Sequence, residues 1–325
     1  MKSLVRCAGL AILVSMFVTG AFALAADYPT KPITLINPFS PGGSHDMLGR
    51  AFASVAQKYL GQPVVVVNKP GASGQIGGLA GAQAAPDGYT LTEHSASMTG
   101  ALEWEIAEGR KSSYTRHDFV SIIALNMSPP LVIVPYNSSW NTLVDLTNDC
   151  RAKPGQYAFS SGGLYAMSHI PAELLTKAVG ITCRHVPYNG GGPAITAVVG
   201  GHVDFATQFP SSSLSLVKGN KLKVLAVQGD RRLKSIPDVP TVKELGIAAE
   251  YYAWVGVCAP AKTPKPIVEK LREVAMKVVQ DKAYIDMIEN LGDEVRYMTG
   301  EDLTKYWDAE SEKVAILFKD LIKKK

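Results

Sequence analysis

The chain has 325 residues, a formal net charge of +4 and 46% hydrophobic residues. Its first 26 residues carry two positive charges and no negative charge, so their removal lowers the net charge to +2, which argues against a nucleic-acid partner. The remaining length of about 300 residues exceeds the usual size of one compact core and predicts two domains.

The first 26 residues have the pattern of a secretory signal peptide. Lys2 and Arg6 precede an apolar run over residues 8–24, and Ala23-Leu24-Ala25 fits a small-x-small cleavage site. An uncleaved membrane anchor is the alternative, although small polar residues interrupt the run. No later segment is apolar over the length of a membrane span. We therefore expect an exported chain that reaches the periplasm of a Gram-negative cell after the signal peptide is removed.

Short β-rich runs alternate with helical patterns along the rest of the chain. The predicted strands are 33–37, 63–68, 89–93, 131–134, 157–160, 183–186, 203–206 and 222–227. Helices are predicted over 266–281 and 301–324, with an extended piece at 294–297 between them. This alternation predicts an α/β fold with a mostly parallel sheet, flanked by helices, in each domain. A cleft between two such domains is where small ligands usually bind.

The first strand is followed by Pro38-Phe39-Ser40-Pro41-Gly42-Gly43-Ser44-His45-Asp46, which leads into a helix. Glycines let backbone N–H groups approach a ligand closely, and the first helical turn offers unpaired donors. The segment therefore predicts a cradle for a carboxylate or a phosphate. A Gly-Gly turn that only ends the strand is the alternative.

The same pattern occurs a second time. Residues 157–163, Tyr-Ala-Phe-Ser-Ser-Gly-Gly, run from a strand into small polar residues, and a helix is predicted from Met167 to Val179. Open α/β sheets place ligands at the carboxyl ends of their strands. Two such cradles that face each other would suit a ligand with two anionic ends.

Three cysteines follow the predicted signal peptide: Cys150, Cys183 and Cys258. In an oxidising compartment Cys150 and Cys183 could be bridged, since they flank one strand–helix unit; buried free thiols are the alternative. The sequence has no Cys-x-x-Cys or His-x-x-x-His spacing. We therefore predict neither a metal nor another cofactor.

Eight motifs occur in the order in which a known family has them. They are Tyr28-Pro29-x-Lys31-Pro32-Ile33, the loop at 38–46, Gly61-Gln62-Pro63-Val64-Val65-Val66, Asn68-Lys69-Pro70-Gly71-Ala72-x-Gly74, Ala84-Ala85-Pro86-Asp87-Gly88-Tyr89-Thr90-Leu91, His185-Val186-Pro187-Tyr188-x-Gly190-Gly191-Gly192-Pro193-Ala194, Gly200-Gly201-x-Val203-Asp204 and Leu233-x-x-Ile236-Pro237-Asp238-Val239-Pro240-Thr241. With these motifs the chain, from Asp27 to about Phe318, resembles the substrate-binding proteins of tripartite tricarboxylate transporters, the Bug receptor family.

This resemblance implies an extracytoplasmic receptor with a two-domain, type II-like periplasmic-binding-protein fold. It would close over a small organic acid, aromatic acids included, and deliver it to the permease subunits of a tripartite tricarboxylate transporter. We expect a monomer without catalytic activity. The implied domains are 27–127 plus 248–325 and 128–247, with hinges near 126–129 and 246–251.

The resemblance also implies which residues hold the ligand, largely through backbone groups and ordered water. The implied residues are Phe39, Ser40, Gly43, Ser44 and Asp46 in the first loop, and Ser161, Gly162, Gly163 and Ser168 in the second. His94, Ser95 and Ser97 after the third strand, together with Tyr188 and Asp204, complete the candidates. Asp46 is alternatively a helix cap, His94 a residue hydrogen-bonded within its loop, and Asp204 a structural carboxylate.

The second loop departs from the family, which usually has Ser-Ser-x-Gly-x-Gly-Ser-x-x-His-Leu there. Alignment back from His169 places Tyr165 at a glycine position and Ala166 at a hydroxyl position. The Tyr165 ring would either enter the pocket, where it favours compact or aromatic acids, or pack beneath the loop.

Two other functions remain open. A ligand-sensing protein that signals to a sensor kinase would share the same fold and cleft. A secreted enzyme is disfavoured, because the adjacent helix residues Ser44, His45 and Asp46 point about 100° apart and cannot form a triad with one another.

Overall fold

The structure is a computed structural model that describes residues 28–323. The predicted signal peptide, residues 1–26, lies outside the described residues. The strands are β1 (Ile33–Asn37), β2 (Val64–Asn68), β3 (Thr90–Ser95), β4 (Phe119–Ser128), β5 (Leu131–Pro135), β6 (Ala158–Ser161), β7 (Arg184–Pro187), β8 (Phe205–Gln208), β9 (Leu222–Val227), β10 (Ala253–Pro260) and β11 (Met298–Thr299). The helices are α1 (Ser44–Leu60), α2 (Gln75–Ala82), α3 (Ala96–Ala107), α4 (Leu143–Ala152), α5 (Ile170–Val179), α6 (Gly191–Val199), α7 (Pro210–Lys218), α8 (Lys265–Gln280), α9 (Lys282–Asn290) and α10 (Gly300–Lys323).

The strands form two sheets. The first has the order β11-β4-β10-β3-β1-β2 and the second the order β7-β6-β8-β5-β9. In the first sheet β1 pairs in parallel with β2 and β3, whereas β10 runs antiparallel to β3 and β4. In the second, β6 pairs in parallel with β7 and β8, whereas β5 runs antiparallel to β8 and β9.

The predicted α/β class is confirmed, but both sheets are mixed rather than mostly parallel. The antiparallel pairings involve the strands that carry the chain from one sheet to the other. Pro129 and Pro130 separate β4 from β5, and without N–H groups they cannot continue a strand ladder. The chain returns over residues 228–252 into β10. A direct passage between sheets brings in strands without the crossover helix that parallel pairing needs.

Each sheet has its own hydrophobic core. The amphipathic helix α8 buries Ile267, Leu271, Val274 and Val278, which recur at helical spacing, against the first sheet. In the second sheet β5 is apolar on both faces: Val132 and Val134 contact one cluster of side chains, and Leu131 and Ile133 contact another. Helices cover both faces of such a strand.

The described residues also settle two smaller expectations. The extended piece predicted at 294–297 forms no strand; β11 lies just after it, at Met298–Thr299, and α10 begins directly after β11. Between residues 28 and 323 no helix is both long and apolar enough to cross a membrane.

Candidate functional site

A cavity of about 20 Å³ lies where the two sheet units meet. Its lining comes from both units: Phe39, Gly43, Ser44, His45 and Ser97 from the first, and Gly162, Ala166, Met167, Ser168, Gly191, Gln208 and Phe209 from the second. This volume holds about one water molecule. In this closed arrangement the cavity is smaller than a typical ligand site of roughly 300 Å³ or more.

Strand ends position these residues. Because β1 and β3 are parallel neighbours, as are β6 and β8, each pair brings its carboxyl ends to one edge of its sheet. Gly43 precedes α1, and Ser97 lies in the first turn of α3. Gly191 begins α6. The cavity therefore lies among several strand-to-helix junctions, as the two predicted cradles require.

Two buried side-chain nitrogen atoms at the cavity have no hydrogen-bond partner. They are Nε2 of His45 and Nε2 of Gln208, in side chains that are almost fully buried. Burial lowers the pKa of His45 to about 3, so its ring is neutral at neutral pH. An unpaired buried polar group costs about 1–3 kcal/mol. Gln208 Nε2 is an amide donor, and His45 Nε2 donates in the tautomer that carries the ring proton there, so one acceptor could satisfy both atoms.

Serine hydroxyls add polar contacts between the units. Met167 donates its backbone N–H to Ser97 Oγ at 2.6 Å, and Ser44 Oγ donates to Ser212 Oγ at 3.2 Å. Within the second loop, Gly162 N–H donates to Ser168 Oγ at 2.9 Å. Ser97 and Ser168 accept in these bonds, which leaves their own O–H groups available to an acceptor in the cavity.

Glycines allow the first loop to touch the start of α6. Ser40 N–H donates to the carbonyl of Asn189 at 3.1 Å. A Cβ atom at Gly192 would lie 2.2 Å from the carbonyl oxygen of Pro41, and one at Gly43 would lie 3.2 Å from the nitrogen of Gly191. Glycine at these positions thus serves the close approach of two backbones. We call this contact the glycine seam; it comprises residues 40–43 and 189–192.

Asp46 organises the first loop and does not line the cavity. Its carboxylate accepts hydrogen bonds from Gly42 N–H at 3.1 Å, Arg50 Nε at 3.0 Å and Asn68 Nδ2 at 3.0 Å. Burial alone would raise the pKa of Asp46, but the bonds from Arg50, Asn68 and Gly42 outweigh it and lower the pKa. This environment favours the structural alternative for Asp46.

Ser161 and Gly163 support the second loop from outside the cavity lining. Ser161 Oγ lies 2.6 Å from Nε2 of His185, and the His185 ring stacks on that of His169 at 3.8 Å. Gly163 has a φ of +141°, and a Cβ atom there would lie 2.6 Å from Ser73 Oγ in the first unit. Gly163 is therefore another position where the units approach closely.

Tyr165 packs across the two units rather than into the cavity. Its ring centroid lies 4.7 Å from that of Trp104 on α3, and the residue has a φ of +56°. This left-handed conformation favours glycine, in agreement with the glycine position that the alignment gives it.

His94 and Ser95 do not reach the cavity, because β3 continues through Ser95. His94 is completely buried among the rings of Phe119, Trp254 and Trp307. Burial, with a smaller contribution from His45, lowers its pKa to about 3. The expectation of a loop at the cleft is wrong for these two residues, since the strand ends at Ser95, two residues later than predicted.

Three remaining candidates also lie outside the cavity lining. Ser40 belongs to the glycine seam, as described above. Tyr188 lines a separate groove of about 500 Å³ together with Pro41 and Gly42. Asp204 Oδ2 accepts the N–H of Ala158 at 2.7 Å, which supports its structural alternative.

His45 and Gln208 are not among the ligand residues that the sequence predicts. Gln208 ends β8, and α7 begins at Pro210 and Ser211. This third strand-to-helix junction is the sequence signal that could have identified Gln208 as a ligand residue. Ala166, Met167, Gly191 and Phe209 were also not selected. Within residues 28–323 no group of three or more His, Cys, Asp or Glu side chains could hold a metal ion.

Comparisons with known proteins agree with this architecture. The model of the tripartite tricarboxylate transporter family receptor, TctC, matches residues 48–323. BugT of Bordetella pertussis is 34% identical over 269 residues, which cover 82% of this chain and 82% of BugT.

Two solved structures share the fold. MatC (Rpa3494) from Rhodopseudomonas palustris with bound malate has a TM-score of 0.80 at 25% identity and covers 90% of this chain and 100% of MatC. Rpa4515 of R. palustris with adipate has a TM-score of 0.83 at 26% identity, with coverages of 90% and 98%. The periplasmic-binding-protein fold is confirmed, and the chain belongs to the TctC family of tripartite tricarboxylate transporter receptors, which includes the Bug proteins.

Proposed function

We propose that this protein is an extracytoplasmic receptor that binds a small organic acid between its two sheet units. It delivers the acid to the membrane permease of a tripartite tricarboxylate-type transporter and acts as a monomer without catalysis. The malate of MatC and the adipate of Rpa4515 support a carboxylate ligand. The TctC family membership supports the periplasmic location and the permease partner.

The observation that carries the proposal is the pair of unpaired nitrogen atoms, His45 Nε2 and Gln208 Nε2, at one cavity; both donate when His45 is in its Nε2–H tautomer. A carboxylate has two oxygen atoms that accept hydrogen bonds, so it can satisfy both donors at once. The hydroxyls of Ser97 and Ser168 and the amino end of α1 add further donors.

The electrostatics of the lining favour an anion over a cation. None of the cavity-lining residues is acidic, and the nearby carboxylate of Asp46 is already bound by Arg50, Asn68 and Gly42. Neutral donors tolerate many carboxylates, because no arginine of the lining fixes the position of a second anionic group. The site therefore suits a small carboxylate without specifying its chain length.

Entry of the acid requires the units to separate, because the closed cavity holds only about one water molecule. We place the domains at 27–127 plus 248–325 and 128–247, with hinges at 126–129 and 246–251. The buried Gln228 links both passages: its N–H donates to Pro130 O and its carbonyl accepts from Tyr251 N–H, both at 2.8 Å. Closure around the acid would then present one shape to the permease.

A thermal-shift experiment tests the ligand class. Ligand-stripped mature protein is screened against malate, adipate, citrate and benzoate, and against the uncharged diamides of malate and adipate. Bound ligand raises the melting temperature by mass action, so at least one acid should raise it while its diamide does not. Equal shifts for an acid and its diamide, or no shift for any acid, would contradict the proposal.

Gln208→Glu tests the site itself. This nearly isosteric change replaces a donor with a carboxylate, so the shift given by the acid should disappear. Gln156→Glu makes the same charge change at an exposed position of the same unit and should retain the full shift. If the acid raises the melting temperature of Gln208→Glu as much as that of wild type, the ligand does not bind at this cavity.

Uptake of the identified acid tests delivery. Cells that lack the receptor should lose uptake of the labelled acid at micromolar concentration, and the wild-type gene should restore it. Normal uptake without the receptor would instead favour a sensing role.

A further inference from the structure

Two cysteine thiols meet at one side of the second sheet. Cys150 lies in the last turn of α4, Cys183 lies directly before β7, and their Sγ atoms are 3.6 Å apart. Cys150 is fully buried and Cys183 is half-buried. A disulfide has an S–S bond of about 2.0 Å, so the two sulfur atoms need to approach each other by about 1.6 Å.

Backbone hydrogen bonds hold Cys183 in this position. Gly155 N–H donates to the carbonyl of Thr182, and Arg184 N–H donates to the carbonyl of Tyr157, both at 2.8 Å. The residues on either side of Cys183 are thus tied to the segment that follows α4. The two sulfur atoms can therefore approach each other through small rotations of the two cysteine side chains, with little movement of the backbone.

We propose that Cys150 and Cys183 form an intramolecular disulfide bond in the exported protein. The inference is independent of the ligand and rests on the proposed location outside the cytoplasm, where proteins meet an oxidising environment. The oxidant belongs to the disulfide class, either a small molecule such as oxidised glutathione or an oxidising protein.

The bond forms by two thiol–disulfide exchanges. The Cys183 thiolate attacks one sulfur atom of the oxidant; the S–S bond of the oxidant breaks, and the departing sulfur takes up a proton. The Cys150 thiolate then attacks the Cys183 sulfur atom, which releases the second half of the oxidant as a thiol. The two cysteines lose two protons and two electrons, and the oxidant is reduced to two thiols.

The order of the steps follows from exposure and acidity. Cys183 is the more exposed of the two, and its contact with Cys150 lowers the pKa of Cys183. Cys258 is fully buried in the first unit, and burial raises its pKa to about 12, so it should remain a thiol.

The bond would fix an edge strand beneath the second loop. β7 is at the end of its sheet and has four residues, so one neighbouring strand alone holds it. Two residues after Cys183, His185 contacts Ser161, which directly precedes the loop residues Gly162 and Gly163. A bond at Cys183 therefore restrains the strand that carries this support.

Thiol counting tests the proposal. The protein is exported in a Gram-negative host, blocked with N-ethylmaleimide during periplasmic extraction, unfolded in more maleimide and weighed by mass spectrometry. We expect one label, on Cys258, without reduction and three labels after reduction, and a peptide map that joins Cys150 to Cys183. Reduction should lower the melting temperature by about 5 °C.

Single variants provide the controls. Cys258→Ala should take no label without reduction, and Cys150→Ala should take two. Three labels on unreduced wild-type protein, or a bond that involves Cys258, would overturn the proposal. If fractionation shows that the protein is not exported, oxidised glutathione is added to the purified reduced protein. Three thiols that persist after this treatment would equally overturn it.

Discussion

The two loops that line the cavity have similar sequences but are held in place by different forces. The first loop surrounds one ionised carboxylate, because Asp46 accepts hydrogen bonds from Gly42, Arg50 and Asn68. In the second loop the glycine N–H groups donate to neutral hydroxyl groups instead, Gly162 to Ser168 Oγ and Gly163 to Ser161 Oγ. Hydrogen bonds to a charged group are roughly twice as strong as neutral ones. We therefore expect the first loop to be the more rigid of the two.

One sequence pattern can thus position two loops that different residues stabilise. The strand, the glycine pair and the helix start are common to both loops, whereas the supporting groups lie elsewhere in the chain. Asn68 comes from β2, and His185 comes from β7. Changes at these supports should therefore separate the two loops experimentally.

Gly192→Ala should have the largest effect, because it keeps the first loop from meeting the second unit. The added methyl group would lie 2.2 Å from the carbonyl oxygen of Pro41. The protein can relieve this clash by remaining open, so we expect the affinity for the acid to fall at least about 100-fold while the melting temperature changes little. Titration calorimetry and scanning calorimetry measure the two quantities.

Gly219→Ala is the matched control for this change. A Cβ atom there would lie 3.4 Å from the carbonyl oxygen of Ser215, an ordinary van der Waals contact, so both affinity and stability should stay near wild type. Wild-type affinity in Gly192→Ala would show that the glycine seam is not needed for binding.

Asp46→Asn should remove the charge that holds the first loop. We expect it to destabilise the protein by about 1.5–3 kcal/mol, because hydrogen bonds to a charged group are lost or weakened. It should also lower the affinity for the acid. Urea unfolding measures the first effect and titration calorimetry the second.

Asp204→Asn makes the same change in the second sheet, where the carboxylate accepts the N–H of Ala158. This variant should leave the affinity unchanged. A loss of affinity as large as that of Asp46→Asn would contradict the structural assignment of Asp204.

The two loops should also respond differently to pH. Burial, and then His169, lowers the pKa of His185 to about 4, so the stability that a neutral His185 contributes is lost as the pH falls from about 6.5 to 4. The pKa of Asp46 is lowered as well, so its contribution persists down to about pH 4 and is lost below it.

Melting curves of wild type, His185→Phe and Asp46→Asn between pH 7.5 and 3 check this difference. The advantage of wild type over His185→Phe should shrink between pH 6.5 and 4.5, while its advantage over Asp46→Asn stays constant there. Parallel changes in both variants over that interval would refute the contrast between the loops.

Tyr165→Gly should have the smallest effect on binding. The left-handed backbone suits glycine, and the ring that is removed lies against Trp104 outside the cavity lining. We expect the affinity for malate or adipate to change by less than about threefold, measured by titration calorimetry. If Tyr165→Gly instead reverses the preference between malate and adipate, the Tyr165 ring lies in the binding site.

The sequence predicts the alternating part of the fold well, because β-branched runs bounded by turn residues are local signals. β9 agrees with its predicted range of 222–227. The pattern does not predict the two longest strands, β4 and β10, because both are buried along almost their whole length and show no alternation of apolar and polar residues. Their antiparallel pairing depends on the passage between sheets, which no local pattern encodes.

Part of the site is also predictable from local sequence signals. Phe39, Gly43 and Ser44 line the cavity as their loop pattern implies. The local sequence does not identify His45 and Gln208 as ligand residues. They meet at one cavity only because the two sheet units, which come from different parts of the chain, close against each other. The error at His94 came from the end of a strand, where a shift of two residues moves a side chain from a loop into the core.

A crystal structure of the protein with the acid that gives the largest thermal shift would test the proposed binding site most directly. We predict one carboxylate of that acid between the two units, with its oxygen atoms at about 2.7–3.2 Å from His45 Nε2 and Gln208 Nε2. A carboxylate bound elsewhere, for example in the groove beside Tyr188, with both donors still unpaired, would contradict it.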